Sequence, residues 1–333
     1  MNTALYAWSG IGDALMALPL LQGLKAGGHR ASLAGNEFMR PFYRFLEETG
    51  ACDAPFLYKS RTPSSWASRL RDLDFLLLPP DVGWKDHPSL AAFKALSAPA
   101  RPILRAFLGL KDARFIPKAR IKTRSSKAPE TTNLALSYVR YLEEGFGLPF
   151  KEDFLFLPKE ALARMQNEAA PALKEAGLAA KPYAAIYRAT KGAARNMPEG
   201  LIQKIAAFCR SRDLRLVEVG GQGPDDPAAR PDTLDWRGRL NFWQLSGVFN
   251  QSRMVFSIDG GLLHLALAAR AKVCSFWGPT IPESIVFPAH PFHKPLCRYL
   301  PFQPYRGETP PPDAAMAFDF SNNDIARAAE ELS

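Results

Sequence analysis

The 333-residue sequence lacks several features that would assign a protein to a class at once. Its four cysteines (Cys52, Cys209, Cys274 and Cys297) are scattered and form no CxxC pair. This spacing excludes a disulfide framework and a cysteine-based structural zinc site, and it favours a reducing, cytoplasmic compartment. No run of 18 uninterrupted apolar residues occurs, so no membrane-spanning helix is predicted. The amino-terminal stretch has no basic leader and carries Asp13 among apolar residues, which predicts a strand and a helix, not a signal peptide.

Acidic residues are fewer than basic ones, and the formal net charge is +9. The basic excess is concentrated in residues 110–127, which include Lys118, Arg120 and Lys122 and a single Asp. Such a Pro-flanked, poorly periodic segment is typical of a solvated loop; the alternative is a landing site for an anionic partner. With one aromatic residue, Phe115, it lacks a stacking platform for single strands, so no nucleic-acid partner is predicted. A phosphorylated glycan or an anionic membrane face fits the segment better.

Metal-binding patterns are also scarce. The stretch HPFHKPLC places His290, His293 and Cys297 close enough in sequence to ligate one metal ion. Proline-rich loops often contain such residues without a metal, and no convincing Asp-x-Asp site occurs. The expectation is that no metal is bound.

Apolar strands alternate with amphipathic helices in both halves of the chain. This order predicts α/β architecture with parallel sheets covered on both faces, in two Rossmann-like domains facing a central cleft. The predicted divisions are an N-terminal domain (residues 1–155), a linker (156–180), a C-terminal domain (181–320) and a C-terminal helix (321–333). A helix broken near Pro171 is expected in the linker, and residues 86–147 read as helical and irregular.

The first candidate site is SGIGDALMALP, residues 9–19, between the first strand and helix. Gly10 and Gly12 begin a dinucleotide fingerprint, but Leu15 stands where the third glycine is required, which argues against NAD. Gly12 still permits close approach of the backbone to a ligand. Asp13 is either a simple N-terminal helix residue favoured by the dipole or a general base, since the same dipole keeps its carboxylate ionised.

Two further candidate sites follow strands in the second half. YRATKGAARNMPEG offers Thr190, Lys191 and Arg195 just before Pro198, which is predicted to open a helix. This loop is either a diphosphate site or ordinary surface charge.

The other stretch is FSIDGGLLHLALAARAKVCSFWGPT, in which Asp259 ends a strand and Gly260-Gly261 form a turn. His264 follows on the first turn of an apolar helix. It is either a satisfied core histidine or part of an anion site at the glycine turn.

These pieces together resemble glycosyltransferase family 9, the bacterial lipopolysaccharide heptosyltransferases. The resemblance rests on three motifs: GDALMALP, RNMP before a helix, and DGGLLHLALAARAKVCSFWGPT. The similarity extends from Ala4 to Pro282. The resemblance implies a GT-B fold and metal-independent, inverting transfer of a heptose from an ADP-sugar to an anionic glycolipid. It also implies that residues 1–155 form the acceptor-binding domain and that residues 181–320 form the nucleotide-sugar-binding domain. No cofactor is implied beyond that donor. The expected location is the cytoplasm, including the cytoplasmic face of the inner membrane.

The resemblance also implies roles for individual residues. Asp13 matches the general base. The implied donor-binding residues are Thr190, Lys191, Arg195, Asp225, Leu240, Asp259, Gly260, Gly261 and His264, with Asp225 at the ribose and Leu240 beside the adenine. Gly12, Lys118, Arg120 and Lys122 are assigned to the acceptor side.

The sequence departs from the family pattern at positions that concern the donor. Gly260 stands where the family has Ser or Thr, which removes one hydroxyl ligand to phosphate, and Met197 replaces the usual Trp. These departures keep two alternatives open. One is a non-catalytic member that binds a nucleotide or glycan, and the other is a GT-B-fold nucleotide-sugar epimerase.

Overall fold

The computed structural model describes residues 1–7, 10–58, 73–78, 112–122, 130–190, 195–221, 230–278, 280–298 and 314–332. The chain divides into two compact units. The first comprises Met1–Ile121 and Thr132–Pro158, and the second comprises Lys122–Thr131 and Lys159–Ser333.

The first unit contains a parallel sheet whose order, over the described strands, is β3-β2-β1-β4-β5. Its strands are β1 (Asn2–Tyr6), β2 (Arg30–Asn36), β3 (Asp53–Tyr58), β4 (Phe75–Leu78) and β5 (Asp112–Phe115). Its helices are α1 (Ile11–Met16), α2 (Leu18–Ala26), α3 (Arg40–Glu48) and α4 (Leu134–Phe146). β6 (Ala119–Lys122) and β7 (Glu130–Asn133) form a separate two-stranded sheet.

The second unit contains a parallel sheet with the order β10-β9-β8-β11-β12-β13 among the strands that the structure describes. These strands are β8 (Tyr183–Tyr187), β9 (Arg215–Glu218), β10 (Leu234–Asp235), β11 (Met254–Ile258), β12 (Val273–Trp277) and β13 (His293–Cys297). The helices are α5 (Glu160–Glu175), α6 (Glu199–Ser211), α7 (Phe242–Gln251), α8 (Gly261–Ala268) and α9 (Asn322–Glu330). Every residue of β8, β11 and β12 is buried, as expected for a parallel sheet covered on both faces.

The segment predicted as a linker, residues 156–180, contains the division between the units. The division falls at Pro158, and α5 occupies most of the predicted linker as a helix of the second unit. α5 continues through Pro171, where a break was predicted. Packing explains this: α7 approaches so closely that a Cβ on Gly247 would lie 2.0 Å from the Met165 carbonyl oxygen. Gln166 also donates to the Asn250 side chain at 2.9 Å, so tertiary contacts outweigh the missing hydrogen bond of a proline.

Two further predictions about secondary structure are corrected. Residues 112–115 and 119–122 form strands within a segment that reads as helical and irregular. The stretch HPFHKPLC reads as a loop, but β13 pairs along it with β12. Pro295 hides this strand in the sequence. Among the described strands β13 lies at the sheet edge, where one side of the backbone needs no partner and a proline is tolerated.

The ends of the helices follow local sequence rules. Ser321 caps α9 and Asn241 caps α7, each in a capping box with the residue three positions later. Pro198 is the N-cap residue of α6, one position before the predicted place. Among the described residues, no helix combines the length and apolar character needed to cross a bilayer.

Candidate active site

Two loops meet at the carboxyl edge of the second sheet. β8 and β11 are parallel neighbours, so the loop after β8 and the turn after β11 leave the sheet on the same side. Arg195, in the first loop, donates through Nη1 to the Asp259 carbonyl oxygen at 3.0 Å and lies 3.4 Å from its carboxylate Oδ2. The side chains are only 11% and 6% exposed, so the guanidinium is held in a fixed position. The structure thus brings together two residues predicted for the donor site.

The loop after β8 is shaped by its own hydrogen bonds. The Met197 amide donates to the Arg188 carbonyl at 2.9 Å, and the Thr190 amide donates to the Asn196 side chain at 2.7 Å. Thr190, a predicted phosphate ligand, therefore belongs to the same closed loop as Arg195. Lys191 lies outside the described residues.

The turn after β11 leads directly into α8. Gly260 is the N-cap residue, it has extended backbone (φ 173°, ψ 174°), and no side chain caps the helix there. The first N–H groups of a helix lack partners within it and carry partial positive charge. Gly260 and Gly261 therefore present a helix N-terminus beside the Arg195–Asp259 pair, an arrangement suited to an anion.

His264 is buried within the first turns of α8. Burial lowers the pKa of His264 to about 4, and the negative charge of Asp259 opposes that shift only in part. The imidazole is consequently neutral near pH 7. It can offer one N–H to a ligand, but it cannot contribute the positive charge that Arg195 contributes.

Thr280 is a residue of this cluster that the sequence reasoning missed. Its Oγ1 donates to Asp259 Oδ2 at 2.9 Å. Asp259 is therefore fixed from two sides, by Arg195 and by Thr280. Thr280 is the last residue of SFWGPT, so the motif contains it, but the motif alone does not predict its contact with Asp259.

A second charged group at the same edge was also missed. Arg188 donates to Glu218 at 2.7 Å, and the same Glu218 oxygen lies 3.0 Å from Arg237, which also donates to Asp235 at 2.9 Å. Arg188, Glu218 and Arg237 are buried. The hydrogen bonds from Arg237 lower the pKa of Asp235. The signal in the sequence was an acid within the otherwise apolar strand LRLVEV.

Asp13 lies in the first unit, in the first turn of α1 after β1. Its side chain is half-buried and folds back over Gly10, where an added Cβ would lie 2.6 Å from Asp13 Oδ2. Buried Tyr43 and Tyr138 lie near it: burial, and then the negative charge of Asp13, raise the pKa of both phenols. Gly12 lies beside Asp13 in α1 and is half-buried.

The remaining predicted residues are dispersed. Leu240 is half-buried and immediately precedes the cap of α7. Lys118 and Arg120 are exposed, and Lys122 ends β6. Asp225 lies outside the described residues.

In HPFHKPLC, the stretch considered as an alternative metal site, β13 separates two of the three candidate ligands. His293 and Cys297 stand at opposite ends of β13, paired with Val273 and Trp277. His293 Nε2 lies 2.6 Å from Ser275 Oγ, and His290 Nδ1 accepts from the Phe292 amide at 3.3 Å. In the part of the chain that the structure describes, no group of three or more His, Cys, Asp or Glu could hold a metal ion.

Comparison with known proteins gives similarity in structure but not in sequence. No family model matches the chain, and no curated protein matches it in sequence. The E. coli heptosyltransferase WaaC with ADP is 14% identical, with a TM-score of 0.67 and coverage of 100% of both chains. The E. coli ADP-heptose lps heptosyltransferase II is 14% identical (TM-score 0.65; 100% of this chain and 98% of that one). A glycosyltransferase family 9 structure from Veillonella parvula is 13% identical (TM-score 0.64; 99% and 96%). The fold implied by the resemblance is thereby confirmed: the chain has the GT-B fold of these heptosyltransferases.

Proposed function

We propose that the protein is a glycosyltransferase that moves a heptose or a related sugar from an ADP-sugar to a lipopolysaccharide core or similar anionic glycan. The observation that carries this proposal is the Arg195–Asp259 pair, held beside the uncapped N-terminus of α8. Cations and helix N–H groups at the carboxyl edge of a parallel sheet are the usual means of binding a diphosphate. The fold agrees, since one of the similar structures is a heptosyltransferase with ADP.

The donor diphosphate is assigned to the second unit. Arg195 and the first N–H groups of α8 would neutralise its negative charge, and Thr190 offers a hydroxyl from the same loop as Arg195. As the sugar–phosphate bond breaks, the leaving ADP gains charge, so groups already in position stabilise the transition state. Asp259 and Thr280 keep Arg195 in place and need not contact the donor.

The acceptor proton is assigned to Asp13. In an inverting transfer, the acceptor oxygen forms a bond to the anomeric carbon while the bond to the diphosphate breaks, and its electron pair leaves with ADP. The acceptor hydroxyl releases its proton to a carboxylate during this step. The position of Asp13 in the first turn of a helix favours the ionised form that a base requires.

A divalent metal has no step in this proposal, because Arg195 and the helix N–H groups supply the positive charge at the leaving group. Turnover that survives chelator treatment is the expected result. Loss of turnover in chelator, with recovery on adding back one metal, would contradict the metal-free transfer.

The acceptor is proposed to be an anionic glycolipid at the cytoplasmic face of the inner membrane. Exposed Lys118 and Arg120 support this, since basic side chains near a membrane surface attract anionic headgroups and phosphorylated sugars. Charge reversal at both positions should raise the KM for such an acceptor and leave donor binding unchanged.

The decisive experiment compares Asp13→Asn with Arg195→Gln. A panel of ADP-heptose and of ADP-, UDP- and GDP-hexoses first identifies the donor by thermal stabilisation. Asp13→Asn should then lower turnover by about a hundredfold or more while donor affinity stays near wild type. Arg195→Gln should weaken both donor binding and turnover, by about a hundredfold in turnover.

Arg212→Gln provides the matched control, because it removes an exposed arginine whose ion pair with Glu330 lies at the surface. Wild-type turnover in Asp13→Asn would overturn the assignment of the base. Donor binding without ADP release on any acceptor would favour a non-catalytic binding protein, and interconversion of the sugar without acceptor would favour an epimerase.

A further inference from the structure

Tyr187 ends β8 at the same edge of the second sheet as the proposed diphosphate site. Its buried ring lies between two glycines that follow the neighbouring strands, Gly220 after β9 and Gly260 after β11. A Cβ placed on Gly260 would lie 2.8 Å from both Cε1 and Oη of Tyr187, and one on Gly220 would lie 3.4 Å from Cδ2. The ring therefore fills the space between the two turns.

The two glycines are required for different reasons. Gly220 has φ +142°, a conformation that residues with a side chain rarely adopt. Gly260 has extended backbone that any residue can adopt, so only the nearness of Tyr187 excludes a side chain there. Tyr187 and a side chain at position 260 are consequently mutually exclusive unless the ring moves.

Position 260 is the N-cap of α8, where Ser, Thr, Asp or Asn usually provides a polar atom. Gly260 provides none. The Tyr187 hydroxyl lies within 2.8 Å of the place where the first atom of such a side chain would stand. A hydroxyl is thus present at the N-terminus of α8, but it comes from the neighbouring strand.

We infer that Tyr187 is a donor-binding residue whose hydroxyl donates a hydrogen bond to the diphosphate at the N-terminus of α8. This inference rests on the proposed function, and it assigns to Tyr187 the hydroxyl that the family pattern expects at residue 260. A phenol is a suitable group, because it is neutral, is held by a rigid ring and reaches across the turn. The chain can carry the hydroxyl on residue 187 or on residue 260, but not on both.

The test measures ADP affinity by calorimetry for the whole chain. Tyr187→Phe keeps the ring and removes only the hydroxyl, so its affinity for ADP should fall about tenfold or more. Tyr183→Phe is the matched control. Tyr183 begins the same strand, and its hydroxyl donates to the Val248 carbonyl at 2.7 Å, so this change should lower the melting temperature and leave ADP affinity unchanged.

A second pair of variants tests the exclusion between the two positions. Gly260→Ser alone should lose both stability and ADP affinity, since the new Cβ meets the Tyr187 ring. Tyr187→Leu combined with Gly260→Ser should bind ADP more tightly than either single variant, because the double change relieves the crowding and returns a hydroxyl to the helix cap.

The outcomes separate this inference from the proposed function. If the wild-type chain binds neither ADP nor another nucleoside diphosphate, both are overturned. If the wild type binds ADP and Tyr187→Phe binds it equally well, only the role of Tyr187 is overturned.

Discussion

At the carboxyl edge of the first sheet, β1 leads into a turn whose acid, Asp13, is half-buried and folds over a glycine. At the corresponding edge of the second sheet, β8 leads into a loop whose arginine is fixed by Asp259, itself held by Thr280. The strand orders correspond, with β8 in the place of β1. The same architecture therefore carries a half-buried acid in one unit and a buried charged cluster in the other.

This difference suits the two proposed tasks. A group that stabilises a leaving diphosphate acts best when it is already in place, because its reorganisation would add to the barrier. A base must accept a proton from an incoming hydroxyl, and a partly exposed carboxylate allows that approach. Each of the following predictions tests how firmly one of the two edges is held.

The largest effect is expected from Glu218→Gln in the second unit. This change keeps the shape of the side chain but leaves the buried guanidinium groups of Arg188 and Arg237 without their shared carboxylate. Breaking a buried ion pair by removing one partner costs about 3–5 kcal/mol of unfolding free energy. Urea denaturation measures this loss. Glu330→Gln, which removes only an exposed partner of Arg212, should cost about 1 kcal/mol or less.

The buried network and the missed strand show what the sequence could and could not provide. Alternation of apolar strands with helices was sufficient for the class of fold and for most elements, because each element has its own local pattern. β13 was missed because Pro295 breaks that pattern and pairing with β12 overrides it. The helix within residues 156–180 was predicted, but its break near Pro171 was wrong, since packing on α7 carries α5 through the proline.

The candidate site was predictable where one motif holds several of its residues. Asp259, Gly260, Gly261 and His264 lie within six positions, so their proximity follows from the chain itself. The contacts of Glu218 join residues 19 to 30 positions apart, and which strand ends meet depends on the order of strands in the sheet. The exclusion between Tyr187 and Gly260 likewise arises only when β8 and β11 are neighbours.

A loss of stability of intermediate size is expected at acidic pH. Burial lowers the pKa of His264 and of His290 to about 4, so the folded second unit keeps both imidazoles neutral. The unfolded chain protonates them near the ordinary pKa of 6.5 and therefore binds more protons between pH 6.5 and 4. Stability is fully present above pH 6.5 and falls as the pH drops through this window, by up to about 3 kcal/mol for each histidine.

Hydrogen exchange at pH 7 and at pH 5 would locate this acid sensitivity. Amides of the second unit should lose protection at pH 5 more than those around His29 of the first unit, which is half-buried. His290→Gln should flatten the dependence of unfolding free energy on pH. A pH dependence as steep as that of the wild type in this variant would contradict the assignment to buried imidazoles.

The smallest effect on stability, and the most specific to the first edge, is expected from Gly10→Ala. The backbone of Gly10 is in the ordinary extended region (φ −115°, ψ 146°), so alanine fits without strain. Its Cβ would stand 2.6 Å from Asp13 Oδ2, so the carboxylate, at the far end of its side chain, would have to shift. Unfolding free energy should therefore change by less than about 1 kcal/mol. A displaced base should still lower kcat by about ten- to a hundredfold at unchanged donor KM.

Gly260→Ala is the variant for comparison, because there the new Cβ meets the ring of Tyr187, and the unfolding free energy should fall clearly. If Gly10→Ala destabilised the protein as much as Gly260→Ala, the Asp13 carboxylate would be held as firmly as the ring of Tyr187, and the contrast between the two edges would fail.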